Sequence, residues 1–236
     1  MNKPNRQLIL LDAVTILLFA AAIGMVFFFA PVEAVMGLVQ KVFYFHVASA
    51  WVGMLSFIVA AVAGILYLRK GERLWDIMSV SAVEIGLVFA IIAIVSGSIW
   101  AKPIWNTWWT WDPRLTTTAI MALVYAAYLM LRSGLEDPDR RARISAVYAI
   151  VGAVSVPLTF FSIRIFRTIH PVIIGSGDPT ASGSFDMAPK MLITFIFSLV
   201  VFTIFYADIL WHRVKLGQLE DEVEQDRLKL MSQEEK

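Results

Sequence analysis

Cysteine is absent from the 236-residue chain, which rules out a disulfide framework, a thiolate metal site and a redox thiol pair. Histidine occurs only three times, too few for most imidazole-rich metal centres. Charge is sparse: 17% of residues are Asp, Glu, Lys or Arg, against about 25% in ordinary soluble domains. The formal net charge is +1 and no basic stripe is present, so the composition speaks against a nucleic-acid interface. Disorder needs low hydrophobicity with high net charge, whereas 58% of this chain is apolar. No nucleophile–base pair and no run of carboxylates marks a hydrolytic centre.

What the chain has is long apolar runs. Six of them, near 8–30, 42–68, 77–100, 113–131, 144–166 and 188–211, reach or nearly reach the ~20 residues that cross a ~30 Å hydrocarbon layer. Backbone groups in lipid must be satisfied internally, so the sequence predicts an all-α integral membrane protein with six transmembrane helices. The first run is too long for the apolar core of a cleavable leader and is read as a span. Fourteen of the 20 Lys and Arg fall on one side of this topology. The positive-inside rule then puts both termini in the cytoplasm, with loops 31–41, 101–112 and 167–187 outside. Residues 1–212 read as one six-span domain and 213–236 as a cytoplasmic helical tail that extends the last span. Leu216, Leu219, Val223 and Leu230 recur there at roughly heptad spacing. Two readings fit them: a solvated helix with a weak apolar stripe, or a docking helix for a cytoplasmic partner.

The middle outer loop reads WAKPIWNTWWTWDPRLTT and holds five of the eight tryptophans: Trp100, Trp105, Trp108, Trp109 and Trp111. Belt residues at a membrane interface account for one or two, not for five in twelve positions. Pro103 suits the first turn of a short interfacial helix between spans 3 and 4. Trp105, Trp108, Trp109 and Asp112 then fall at i, i+3, i+4 and i+7, on one face of it. Asp112 before Pro113 is a start signal for the fourth span. The aromatic face is either a lipid anchor or a flat apolar shelf on which a large planar ligand can stack.

His46 lies at the outer end of the second span and His170 just beyond the outer end of the fifth. They are far apart in sequence, yet the topology puts both at one membrane depth, on the side of the tryptophan loop. Each alone reads as a hydrogen-bonded structural residue. Together beside an aromatic shelf they also read as a pair of metal ligands. Haem iron takes axial imidazoles on both faces of its plane. Pro171 disfavours helix at His170, which lets that ring turn away from the helix axis. Ser49, Ala50 and Gly53 share a helical face with His46 and permit close approach. Haem propionates call for cations, and Arg114, Arg164 and Arg167 suit bidentate pairing with carboxylates; the alternative is that they snorkel to lipid headgroups. Arg164, Arg167 and His170 recur every three residues, within about one helical face. His212, Asp12 and Asp208 read as interfacial residues. Glu84 lies within the third span and reads as a hydrogen-bonded or subunit-facing carboxylate.

The string WNTWWTWDPRLT resembles the tryptophan-rich WWD signature of haem-handling membrane proteins in cytochrome c biogenesis. With flanking histidines, six spans and this length, the chain resembles the CcmC family, haem-delivery subunits of the bacterial cytochrome c maturation system. The longer haem lyases CcmF and CcsA share the loop but have further membrane-embedded histidines that this chain lacks. The resemblance implies a haem b platform of Trp105, Trp108, Trp109, Trp111, Asp112 and Arg114, with His46 and His170 as axial ligands. It implies a multi-pass protein of the bacterial inner membrane with its haem site on the periplasmic side. The implied acceptor is the periplasmic haem chaperone CcmE, and the implied complex contains the small subunit CcmD and the ATPase–permease pair CcmA and CcmB. Two other classes stay open on the residues: an electron-transfer cytochrome b subunit, and a haem-free scaffold or permease component.

Overall fold

The computed structural model describes residues 6–171 and 187–234. The described residues are almost entirely helical, with one isolated β-bridge, Glu33 to Gly37. Seven α-helices follow in order: α1 Arg6–Gly24, α2 Val42–Lys70, α3 Arg73–Trp105, α4 Pro113–Ser133, α5 Pro138–Gly152, α6 Ser155–Ile165 and α7 Pro189–Glu234. A π-helical turn, Met25–Phe29, prolongs α1, and a 3₁₀ turn, Leu38–Lys41, precedes α2. Six segments are long and apolar enough to cross a membrane, with α5 and α6 together forming the fifth, Pro138–Ile165. The fifth span is interrupted at Ala153 and Val154 because Pro157 has no N–H to donate and its ring crowds the carbonyl one turn back. α7 runs on without a break through Trp211 and His212 into the tail, and Leu216, Leu219, Val223 and Leu230 stay exposed on it.

α2 and α3 form the centre. Gly71, in the left-handed conformation at φ 71°, closes α2 with its N–H on the Tyr67 carbonyl, and α3 starts at Arg73. The two helices return side by side at backbone contact. A Cβ on Gly53 would sit 3.3 Å from the Ala90 nitrogen, and one on Gly86 would sit 2.9 Å from the Ser56 Cβ. Small residues permit such approach in membranes, and short hydroxyl bonds between helices support it. Ser56 Oγ donates to the Ala82 carbonyl at 2.8 Å, and Ser79 Oγ to that of Ala60 at 3.0 Å. α5 and α7 flank this pair. α1 and α4 are peripheral, with 17% of their spanning windows buried against 50% for α2 and α3.

The end of the bundle opposite the tryptophan loop is tied by ion pairs. Asp76 is 2% exposed and accepts two bonds from Arg132, at 2.7 and 2.8 Å. Arg73 reaches both Asp76 and Asp221, at 3.2 and 3.0 Å. Glu84 is held by Arg213 through both carboxylate oxygens, so its place inside the span is explained by pairing. Removing one partner of a buried, doubly bonded pair leaves a bare charge. Asp76→Ala is therefore expected to cost about 3 kcal/mol of folding stability, read as a lowered unfolding midpoint in detergent.

Candidate functional site

The tryptophan segment is not a separate helix. α3 continues through Pro103 to Trp105, and Asn106 takes a left-handed conformation, φ 55°, that ends it. Residues 107–112 are irregular, with the Thr107 hydroxyl donating to the Trp109 carbonyl. The expected single face of Trp105, Trp108, Trp109 and Asp112 is thus replaced by two groups. Trp105 and Trp109 turn inward, whereas Trp108 and Trp111 are 57% and 78% exposed. The reason is local: the helix runs past Pro103 and is ended at Asn106, a residue type that accepts positive φ more readily than most.

Asp112 caps α4 as the sequence signals, accepting from the Arg114 N–H at 3.0 Å. It does more. The same carboxylate accepts from the Thr168 hydroxyl at 2.7 Å and from the Ile169 N–H at 3.0 Å. Thr168 Oγ in turn accepts the His170 N–H at 3.0 Å. α6 ends at Ile165 and Phe166 is extended, so Arg164, Arg167 and His170 do not share a helical face. The His170 segment is held by Asp112 instead, so this carboxylate, expected from the sequence in a ligand platform, also tethers that segment. That the cap would also bind a segment 56 residues on has no local signal.

The two histidines meet. Their ring centroids are 6.5 Å apart. His46 Nδ1 lies 3.0 Å from the Ala93 carbonyl and 3.2 Å from Ser96 Oγ. His170 Nδ1 lies 3.2 Å from the Pro171 carbonyl. A carbonyl only accepts, so each Nδ1 carries the proton and each Nε2 keeps its lone pair. A hydrogen bond from one ring nitrogen to a carbonyl is how metal-binding imidazoles are usually oriented. Gly97, which sequence reasoning missed, makes room: a Cβ there would be 2.8 Å from His46 Cε1.

Both rings line a partly open cavity of about 310 Å³, with Trp100, Trp105, Trp109, Arg114 and Arg164 among its walls. Trp105 stands edge-on to His170 at 6.5 Å and perpendicular to Trp100 at 5.1 Å. Trp100 Nε1 is buried without a hydrogen-bond acceptor among the described residues, a donor that a ligand oxygen would satisfy. One Arg114 nitrogen donates to the carbonyls of Thr159 and Phe160, at 3.0 and 2.9 Å, which fixes α4 against α6. Arg167 is exposed and does not line the cavity. Most of the loop expected over 167–187 lies outside the described residues.

The fold and site together define a multi-pass α-helical membrane protein with an imidazole pair and indole walls at one end of the bundle. The chain belongs to the Heme exporter protein C (CcmC) family, whose model matches residues 2–229. Similar relatives bear the same name. The Bradyrhizobium diazoefficiens protein is 32% identical over 196 residues, 80% of this chain and 74% of the relative. That of Rhodobacter capsulatus is 34% identical over 162 residues, 69% of this chain and 67% of the relative. The Escherichia coli K12 protein is 31% identical over 144 residues, 61% and 59% of the two chains.

Two outcomes are expected. Asp112→Ala loses a cap and two bonds from the His170 segment. Bonds to a charged acceptor are worth about 1.5–3 kcal/mol each, so amide exchange at Ile169 should rise by about tenfold or more. Burial first, and the Arg114 charge second, push the His170 imidazole down to about 4. Its neutral form should persist as the pH falls through the ordinary range near 6.5 and be lost only near 4, checked by NMR titration of the ring nitrogens.

Proposed function

We propose that this chain binds haem b through His46 and His170 on the periplasmic face of the bacterial inner membrane and delivers it to the haem chaperone CcmE. In this reading it acts within the haem-export complex of cytochrome c maturation, beside CcmD, CcmA and CcmB. The observation that carries the reading is the imidazole pair. Two metal–imidazole bonds of about 2 Å each, plus half of each ring, come to roughly 6 Å, close to the 6.5 Å between the ring centroids. Both Nδ1 atoms are committed to carbonyls, which leaves Nε2 for iron.

The rest of the cavity fits a porphyrin. Trp100, Trp105 and Trp109 supply apolar, stacking walls. Arg114 and Arg164 line the same space and suit propionate carboxylates. About 310 Å³ is at the small end of the ~300–1,000 Å³ typical of ligand pockets. A porphyrin held there would be only partly enclosed and would leave an edge accessible to an acceptor. Exposed Trp111 packs on Trp109 at 5.7 Å beside the cavity. Trp108, equally outside the cavity, belongs in this reading to the same docking rim.

The ligands are held unequally. His46 stands on the central helix α2 and is braced by α3, whereas His170 lies on irregular chain held by Asp112. Release by a transfer protein requires lower affinity once the acceptor is docked. Displacing the His170 segment achieves this without disturbing the bundle. The tail 213–236 faces the cytoplasm in this reading, with both termini.

The test is an absorption spectrum and extracted-haem assay on the detergent-purified chain. Wild type should carry six-coordinate, low-spin haem and load the chaperone. His46→Ala and His170→Ala should each lose that spectrum and at least about tenfold in haem retention, a single lost ligand being worth more than 1.4 kcal/mol. A double variant that keeps the spectrum and still loads the chaperone overturns the assignment. Wild type that is reduced rapidly by quinol but passes no haem on is an electron-transfer subunit instead.

A further inference from the structure

A second polar cluster lies between α1 and α7, at the arginine-rich end of the bundle. Asp208 and His212 are one turn apart on α7, and Asp12 faces them from α1. His212 Nε2 is 2.7 Å from Asp12 Oδ1 and 3.6 Å from Asp208 Oδ1. One ligand atom from each residue lies within 4.8 Å of the others. Asp208 is 6% exposed, and its Oδ1 has no hydrogen-bond partner among the described residues. The hydroxyl of Thr15, one turn after Asp12 and 4% exposed, has none either. Two carboxylates facing each other in a spanning region are costly. The adjacent cation, Arg213, is committed to Glu84 and Glu220. A single imidazole thus faces two carboxylates, within hydrogen-bond distance of Asp12 and beyond it from Asp208.

We propose that Asp12, Asp208 and His212 form a binding site for a divalent first-row cation of the zinc class. One imidazole and two carboxylates are a donor set for such ions rather than for Mg²⁺ or Ca²⁺, which take oxygen alone. Three protein ligands leave a fourth position to water. The half-exposed His212 and Asp12 give the ion access from the surface. His212 Nε2, which donates to Asp12 in the metal-free form, gives up its proton to solvent as the ion binds. The bound ion satisfies the orphan Asp208 oxygen and clips α1, a sparsely buried span, to α7. The site is separate from the His46–His170 cavity and does not rest on its reading.

The full chain, purified in detergent and treated with chelator, is titrated with Zn²⁺ alone. Wild type should bind a single equivalent saturably, with a rise in Tm. Asp208→Asn and His212→Ala should each lower zinc affinity by about tenfold or more and abolish the rise. Asp12→Asn, at a half-exposed position that tolerates replacement, should do the same. The His46→Ala/His170→Ala double variant should keep the equivalent. Absence of saturable binding to wild type, retention in both Asp208→Asn and His212→Ala, or loss in the double variant overturns the proposal. A Tm that responds to pH but not to zinc overturns it as well, the occupant then being a proton.

Discussion

The Asp112 carboxylate accepts three hydrogen bonds, and two of them come from the segment that carries His170. The third caps α4. One side chain thus sets where the fourth span begins and where an imidazole from beyond the fifth comes to rest. Without it, the chain past Phe166 would keep chiefly the ring contacts of His170 with His46 and Trp105, because α6 has already ended. Trp108, Trp109 and Trp111 depend on the same joint: they occupy the connection between α3 and Asp112, so fixing the aspartate fixes where their backbone returns to the bundle.

The opposing imidazole is positioned by a different kind of force. α2 and α3 approach at backbone distance through Gly53 and Gly86, and His46 stands near the start of this contact. Its Nδ1 meets a carbonyl of α3 because Gly97 offers no Cβ to hold the ring away. Close packing of small residues is stiff, since voids and overlaps both cost free energy. A hydrogen-bonded loop is softer. The cavity therefore pairs a rigidly held imidazole, His46, with one on a softer segment, His170.

The two ends of the bundle manage charge in opposite ways. At the arginine-rich end, the buried or half-buried acids Asp76 and Glu84 are each matched by an arginine with near-bidentate geometry. The exception there is Asp208, buried with a free oxygen. At the tryptophan end, Arg114 spends one nitrogen on helix carbonyls and Asp112 accepts three hydrogen bonds, and imidazoles, indoles, Arg114 and Arg164 line the cavity.

The sequence by itself determined the class of fold. Six apolar runs of spanning length leave no other backbone arrangement in lipid, and the Asp112–Pro113 start signal is local chemistry that needs no context. It also pointed to His46, His170 and the indole loop, because residue types so scarce or so concentrated stand out against an apolar background. Only the tertiary structure decided that α3 absorbs the expected interfacial helix, which tryptophans face inward, and that Asp112 also tethers the His170 segment. The same holds for Gly97 and for the meeting of Asp12 with Asp208 and His212. The Asp112 tether, the room Gly97 leaves for His46 and the Asp12–Asp208–His212 cluster are contacts between segments tens to hundreds of residues apart. Periodicity and capping report on neighbours within a few turns, whereas such contacts exist only once the helices have packed.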